Sequence, residues 1–223
     1  MKKILVTGAG GTVGYLVMHE LGNSYQLTPI FFEDTDVSDY ETFSPKVADH
    51  DVIIHLAWDT KTENYTTGQT NLKNIQMTNN VYRAAIEYGV KRVIMASSVH
   101  ADNFYMWASD TLMDPNQLPI PDSPYGASKV YMETLGRMYA QKHNLEVICI
   151  RLGGVIWNDQ PMKDDPFDQM VWCSRRDCAA LFKKSIDAAS IPNNYTIVYG
   201  VSDNQHRRHD LTNPFGWKPE DGT

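Results

Sequence analysis

Hydrophobic residues recur along this chain in short uninterrupted runs, and the stretches between the runs place apolar residues three or four positions apart. The runs have the length of buried β-strands and cover residues 3–6, 26–32, 51–57, 91–96, 146–152 and 195–200. Helical patterns cover residues 15–21, 38–47, 71–88, 125–143 and 174–188. Strands that alternate with helices predict an α/β fold built on a parallel sheet covered on both faces.

Local residues refine the limits of these elements. Pro29 lies inside the second run, which favours an edge strand or an irregular strand end. Ser38 and Glu41 have the spacing of a helix-capping pair, and so do Ser174 and Asp177. We therefore expect a short helix to begin near residue 38 and a longer one near residue 174.

The first strand leads directly into the spacing Gly8-x-x-Gly11-x-x-Gly14 and then into a helix. Glycines at this spacing let the backbone turn tightly, approach a pyrophosphate closely and pack the helix on the strand, while free N–H groups face the anion. A purely structural glycine-rich turn is the alternative. The position of the motif favours dinucleotide binding and a Rossmann-type, doubly wound sheet.

Acidic residues follow the second strand. Dinucleotide folds commonly place an acid about 20 residues past the glycines to hold the adenosine ribose. Glu33, Asp34 and Asp36 fall near that place, and Asp34 is the nominal choice. Such acids would repel a 2′-phosphate and favour NAD, with NADP left open, although loop acids are commonly just solvated. Asp36 and Val37 could instead border the adenine.

Tyr125 and Lys129 stand one helical turn apart in a helix that Ser123 and Pro124 are suited to begin. At this spacing the ammonium lies near the phenol and favours the phenolate, which makes the phenol a usable general base. An ordinary helix start with a surface lysine is the alternative. The pair indicates a catalytic site only if a cofactor-binding loop and a serine or threonine accompany it.

Two further strands deliver polar residues to the carboxyl edge of the sheet, where ligands collect in parallel sheets. His55 ends the third run, and Ser97, Ser98 and His100 follow the fourth. The serines could simply terminate a strand, and His55 is better explained as a structural histidine than as a catalyst.

In the remaining segments the hydrophobic residues show no clear helix or strand period. We expect loops on the substrate side at about 99–123 and 153–173, and a C-terminal tail from about 201. The second loop could be a substrate lid or a surface loop. The cluster 206–209, His-Arg-Arg-His, could be a solvated face or an anion site.

Length and composition restrict the class of protein. The 223 residues suit one domain, and a net charge of −7 argues against nucleic acid as a partner. Three cysteines without C-x-x-C spacing suggest neither a disulfide framework nor a metal site. No apolar run approaches the ~18 residues of a membrane span, and no leader pattern is present. We expect a cytoplasmic protein that does not bind membranes.

Four motifs occur in a characteristic order: the glycine turn 7–14, His55-Leu56-Ala57, Ser97-Ser98 and Tyr125-x-x-x-Lys129. In this order they resemble the extended short-chain dehydrogenase/reductase family, also called the NAD-dependent epimerase/dehydratase family. The resemblance covers nearly the whole chain. Its nearest form is that of uronate dehydrogenases and related sugar dehydrogenases, which implies a single Rossmann-type domain with a small C-terminal substrate region.

The resemblance also implies roles for residues of this chain. Catalytic roles fall on Ser98, Tyr125 and Lys129. Cofactor contacts fall on Gly8, Gly11, Thr12, Val13, Gly14, Asp34, Asp36, Val37, Leu56, Ala57, Asn74, Tyr125 and Lys129. Substrate contacts fall on Thr60, Ser98, His100 and Tyr125.

Some positions depart from the uronate dehydrogenase pattern. Val99 replaces a common asparagine, and Gly154 replaces a serine that often binds substrate. The arginine expected before Trp172 has no counterpart, because Lys163 is the only cation in 162–170.

The implied reaction is NAD-dependent oxidation of a hydroxyl of a free sugar or sugar acid, most plausibly giving a lactone. A nucleotide-sugar epimerase or dehydratase, which reoxidises its cofactor without release, is the alternative, and a non-catalytic cofactor sensor is a third. The resemblance further suggests a homodimer formed through the helices at 71–88 and 125–143.

Overall fold

The six predicted strands form one sheet in a computed structural model that describes residues 1–60, 68–108 and 111–223. The strands are β1 Lys3–Thr7, β2 Gln26–Ile30, β3 Val52–His55, β4 Arg92–Ser98, β5 Glu146–Leu152 and β6 Tyr195–Gly200. All neighbours run parallel, in the order β2-β1-β3-β4-β5-β6. The predicted Rossmann-type parallel sheet is therefore confirmed.

Seven helices accompany the sheet in the described ranges. They are α1 Thr12–Leu21, α2 Tyr40–Phe43, α3 Leu72–Glu87, α4 Tyr105–Ala108, α5 Pro124–His143, α6 Pro166–Val171 and α7 Arg175–Asp187. A 3₁₀ turn at Ser44–Val47 extends α2, and two more lie at Val99–Ala101 and Pro192–Asn194. None of these helices combines the length and apolar character that crossing a bilayer requires.

The helices divide between the two faces of the sheet because alternate strand residues point to opposite sides. Ile4 and Val6 face the side covered by α1 and α7. Leu5 and Ile53 face the side covered by α3 and α5. Apolar side chains predominate on both faces, which explains why the central strands appear in the sequence as unbroken hydrophobic runs.

Two of the three expected helix starts are confirmed. The hydroxyls of Ser123 and Ser174 accept the backbone N–H groups of Gly126 and Asp177. The prediction for Ser38 is wrong, since Asp39 caps α2 and accepts the N–H of Glu41. Ser38 instead donates both its N–H and its hydroxyl to Asp36.

The edge and loop predictions have mixed outcomes. β2 lies at the edge of the sheet, as Pro29 suggested, because an edge strand tolerates a residue without an N–H donor. Both predicted loops contain a short helix that the sequence pattern did not indicate. The helix α4 lies in the first loop, of which positions 109 and 110 are outside the described residues. The helix α6, in the second, is capped by Asp165.

The C-terminal tail is fastened to α7. The carboxylate of Asp177 accepts the hydroxyl of Ser202 and the backbone N–H groups of Glu220 and Asp221. Asp221 in turn accepts the hydroxyl of Ser174 at 2.6 Å. The tail therefore packs against the same face of the sheet as α7.

A buried ionic network lies under the carboxyl edge of the sheet. Arg151 on β5 is fully buried and donates to Glu133 of α5 at 2.8 Å and to Asp102, which follows β4, at 2.5 Å. Ser97 donates to Glu133 at 2.5 Å, and Tyr199 of β6 donates to Asp102. Burial raises the pKa of Asp102 to about 6, against the opposing effect of Arg151. The network joins β4 with the turn that follows it, β5, β6 and α5.

Replacing Arg151 by methionine should destabilise the fold by about 3–5 kcal/mol, because it leaves Glu133 and Asp102 as buried charges without their cation. The measurement is urea unfolding followed by far-UV circular dichroism. Arg176→Met is the matched control, since Arg176 forms its ion pair with Asp221 at the exposed surface and should give an unchanged midpoint. Equal midpoints for the two variants would contradict a stabilising role for the network.

Candidate active site

The glycine turn packs directly against the end of β3. Gly8 has φ +70°, and a Cβ there would lie 2.6 Å from the backbone nitrogen of Ala57. A Cβ on Gly14 would lie 2.2 Å from the carbonyl oxygen of Gly8. Side chains are therefore excluded from both positions, and the turn can approach a ligand with its backbone alone.

The first turn of α1 offers uncapped N–H groups. Gly11 is the N-cap residue and supplies no side-chain acceptor. Thr12 and Val13 follow it in half-buried positions. Uncapped N–H groups at a helix start favour an anion, which fits the pyrophosphate role expected for this motif.

Thr7 and His55 brace the turn from below. The Thr7 hydroxyl accepts the N–H groups of Leu56 and Ala57 at 3.2 and 3.3 Å, so its hydrogen is directed to His55 Nδ1, 2.8 Å away. Burial lowers the pKa of His55 to about 3, which keeps its ring neutral. His55 thus has the structural place expected for it, whereas the bracing role of Thr7 was not anticipated.

A cavity of about 500 Å³ lies above the turn. Gly8 and Gly11 line one side, and Val37, Leu56 and Ala57 line another. Five of the residues expected at the cofactor therefore meet in one space.

Asp34 is not among the residues around this cavity. It is exposed in the turn after β2, and Phe32 and Lys73 line the cavity where the acid was expected. Asp36 forms an ion pair with Lys73 at 2.7 Å. Against the effect of its partial burial, hydrogen bonds from Lys73 and Ser38 hold the pKa of Asp36 below its ordinary value. The acids after β2 consequently provide no direct basis for choosing NAD over NADP.

Asn74 fastens the segment that follows β3. It is buried in the first turn of α3, and its side chain accepts the N–H of Asp59 at 2.8 Å and donates to the Asp59 carbonyl at 3.0 Å. Thr60 comes next and is exposed. The resemblance implies a cofactor contact for Asn74, but in the structure its amide binds the backbone of Asp59, which lines the cavity.

Tyr125 and Lys129 occupy the first turns of α5, at the rim beyond the cavity. The Lys129 ammonium lies 5.5 Å from the centre of the Tyr125 ring and donates to the carbonyl of Ala96 at 2.6 Å. Its other neighbour is Trp58, whose ring centre is 3.7 Å away. Burial lowers the pKa of Lys129 to about 7, and Glu133, one turn further on, opposes that shift.

The turn after β4 is held against the start of α5. A Cβ on Gly126 would lie 2.1 Å from the carbonyl oxygen of His100, so the two backbones are in close contact. Ser98 Oγ accepts the N–H of His100 at 3.3 Å. The His100 ring stands edge-on to Tyr125 with centres 5.7 Å apart, and its Nδ1 pairs with Asp122 at 2.8 Å. Contacts thus run from Ser98 through His100 to Tyr125, and from Tyr125 to Lys129.

Asp122 is a site residue that sequence reasoning missed. Partial burial opposes ionisation of its carboxyl, yet hydrogen bonds from His100 and Asn103 hold its pKa below the ordinary value. The signal available in the sequence was its place three residues before Tyr125. Trp58, directly after the Leu56-Ala57 pair, was missed in the same way.

The two loops predicted for the substrate side contain two of the positions that depart from the uronate dehydrogenase pattern. Val99 is buried beside Met106, Tyr199 and Val171. A Cβ on Gly154 would lie 3.2 Å from the Asp168 carboxylate. In the tail, Arg207 donates to Asp203 and Arg208 donates to the carbonyl of Met106. Among the described residues, no group of three or more His, Cys, Asp or Glu side chains is arranged to hold a metal ion.

A profile of the NAD dependent epimerase/dehydratase family matches residues 4–171. L-arabinose 1-dehydrogenase (NAD(P)(+)) of Haloferax volcanii is 30% identical over 262 aligned positions, which cover 100% of this chain and 98% of that protein. NAD-dependent glucose-6-phosphate dehydrogenase of the same organism is 30% identical over 250 positions, covering 99% and 94%. Among solved structures, a mutated uronate dehydrogenase superposes with a TM-score of 0.81 at 30% identity, covering 99% of this chain and 82% of that one.

Replacing Lys129 by methionine should raise the melting temperature at pH 7. The pKa of Lys129 is about 7 in the folded protein, and the ordinary value is 10.5. Between these two pH values the unfolded chain binds more protons than the folded one, so the free-energy penalty of burying the amine falls as the pH rises. Calorimetry from pH 7 to 10 should show the advantage of the variant shrinking. Lys142→Met, at the exposed end of the same helix, is the control and should change little. A lower melting temperature for Lys129→Met at pH 7 would count against this account.

Proposed function

Because this chain belongs to the NAD-dependent epimerase/dehydratase family, we propose that it is an NAD-dependent dehydrogenase of free sugars or sugar acids. The observation that carries the proposal is that Trp58 lines the cavity above the glycine turn and contacts Lys129, whose ammonium lies 5.5 Å from the centre of the Tyr125 ring. The reaction is oxidation of a sugar hydroxyl, with the anomeric hydroxyl of an aldose or uronate giving a lactone.

The chemistry of the cavity lining suits the adenosine and pyrophosphate parts of a dinucleotide. Its glycine positions admit no side chain, and the N–H groups of the first α1 turn are suited to a pyrophosphate. Val37, Leu56 and Ala57 offer apolar walls for the adenosine half. NAD, when bound, accepts the hydride. NADP remains a second possible cofactor, since Asp34 lies away from the cavity and the name of the arabinose relative includes both.

Tyr125 serves as the general base. In its phenolate form it takes the proton of the sugar hydroxyl and becomes the phenol, and the adjacent Lys129 ammonium stabilises the phenolate before the transfer. Burial gives Lys129 a pKa of about 7, so its charge varies within the physiological range. The carbonyl of Ala96 holds the ammonium on the side of the phenol.

Ser98 and His100 position the substrate. The Ser98 hydroxyl stands at the end of β4 and would hydrogen-bond the oxygen that loses its proton. His100 is held by Asp122 through Nδ1 and by its contact with the Tyr125 ring. Thr60 is exposed and directly follows Asp59, whose N–H is bound by Asn74. It would contact the far side of the sugar.

The relatives support the sugar class and leave a choice within it. Their names specify L-arabinose, glucose 6-phosphate and uronates, which share an oxidisable sugar hydroxyl and differ in charge. The alternative function, an epimerase or dehydratase, would regenerate its NAD within each turnover. Net accumulation of reduced cofactor separates the two.

Screening neutral aldoses, uronates and sugar phosphates with NAD and NADP should reveal net cofactor reduction with at least one sugar. Tyr125→Phe should then lower kcat by at least about 10²-fold, because it removes the proton acceptor while leaving the fold and cofactor affinity intact. Tyr131→Phe, on a more exposed turn of the same helix, is the matched control and should retain turnover. Near-full turnover in Tyr125→Phe would remove that residue from the mechanism.

We also propose that the protein acts in the cytoplasm as a homodimer. Three free cysteines are compatible with a reducing compartment. The helices α3 and α5 pack side by side on one sheet face, where buried Tyr82 donates to the carbonyl of Met132. Asn79 and Tyr131 form a hydrogen bond on the outer side of this helix pair.

Light scattering during gel filtration should give a mass twice that of the 25.3-kDa chain. Tyr131→Glu should reduce the mass to that of one chain, because it places a charge in the proposed interface. Lys142→Glu, at the exposed end of α5, provides a comparison outside the centre of that surface. A wild-type protein that elutes with the mass of a single chain would refute the dimer.

A further inference from the structure

Trp58 stands between the dinucleotide cavity and Lys129. Its side chain lines the cavity together with Gly8, Gly11 and Ala57. On the other side, the Lys129 ammonium lies 3.7 Å from the centre of the indole ring. Lys129 and Tyr125 are not among the cavity-lining residues, so the indole marks the end of the space that leads to them.

The ammonium is enclosed by weakly polar neighbours. Lys129 is 3% exposed, and the groups that hold it are the Ala96 carbonyl and the indole face. A buried cation gains from an aromatic face because the ring quadrupole attracts positive charge and replaces part of the lost hydration. Within the described part of the chain, the indole Nε1 is buried and has no hydrogen-bond partner. The contacts that the structure records for this ring are the Lys129 ammonium over its face and an edge-on contact with the His55 ring, 6.3 Å between centres.

The backbone on both sides of Trp58 is fixed. The N–H of Ala57 is bound by the Thr7 hydroxyl, and both backbone groups of Asp59 are bound by the Asn74 amide. Displacement of the indole must consequently come from rotation of its own side chain, while the segment that carries it stays in place. Such a rotation needs no movement of a loop.

We propose that Trp58 is a positioning residue that covers the Lys129 ammonium and yields it to the ribose hydroxyls of the nicotinamide half when a dinucleotide binds. The inference rests on the proposed function, which places the nicotinamide end at Tyr125 and Lys129. The adenosine and pyrophosphate parts fit the cavity as it stands. The nicotinamide half reaches Lys129 only after the indole has turned aside, so part of the binding free energy is used to displace it.

Cofactor affinity tests this directly, since displacement of the indole opposes binding. Trp58→Ala should lower the Kd for NAD about tenfold in titration calorimetry, because no indole remains to be moved. Trp58→Phe keeps an aromatic face and should lie between wild type and the alanine variant. Trp157→Phe replaces a tryptophan that is 56% exposed and is the control, with an unchanged Kd.

ADP provides the second arm, because it occupies only the part of the cavity before Trp58. Its Kd should be the same in wild type, Trp58→Ala and Trp58→Phe. Melting temperatures of each variant show whether the fold is retained, and Trp58→Phe is the informative variant if Trp58→Ala is unstable. In turnover assays, Trp58→Ala should lower KM for NAD with little change in kcat.

The outcomes distinguish this proposal from the proposed function. Weaker NAD binding in Trp58→Ala and Trp58→Phe would overturn it, since the indole would then be a wall on which the cofactor packs. Equal NAD affinity in all variants would also overturn it and leave the dehydrogenase intact. If neither ADP nor NAD binds any of the proteins, the dinucleotide site itself is refuted and both proposals fall.

Discussion

The burial of one ammonium group is the constraint on which the rest of this site depends. Lys129 is held away from bulk water at the end of a parallel sheet, which lowers its pKa to about 7. A cation in that place is tolerated because a carbonyl and an aromatic face contact it and because Glu133 lies one turn away. Glu133 is itself fixed by Arg151 and Ser97. The buried network therefore stabilises the fold and also holds Glu133 one turn away from Lys129.

Sheet order explains why distant segments meet. β1, β3 and β4 are neighbours although β2 intervenes in the chain, so their carboxyl ends form one rim. That rim carries the glycine turn after β1, the Leu56–Ala57 segment after β3 and the serine turn after β4. The helix α5 then adds Tyr125 and Lys129 from one side. Hydrogen bonds from the backbone N–H groups of Ala57 and Asp59 to Thr7 and Asn74 keep the middle segment in register with the others.

The sequence predicted what local rules determine. Buried strands appear as apolar runs, glycine spacing defines the turn, and the i, i+4 relation places Tyr125 beside Lys129. Contacts between segments that are far apart in the chain could not be predicted from these local patterns. Asp34 had the expected spacing, yet the short path after β2 leaves it in solvent and brings Phe32 and Lys73 to the cavity. Asp39 displaced Ser38 as a cap because Asp36 engages Ser38. The place of Trp58 depends on a lysine 71 positions later in the chain.

The contact between Gly126 and the His100 carbonyl has a consequence for how such a protein can change over generations. It anchors the start of α5 to the turn after β4, so the two ends of the segment 101–122 are fixed next to each other. Insertions or deletions within that segment can change the shape of the rim without shifting Tyr125 relative to Ser98. Descendants of this chain could therefore acquire new sugar preferences while inheriting the same reacting groups.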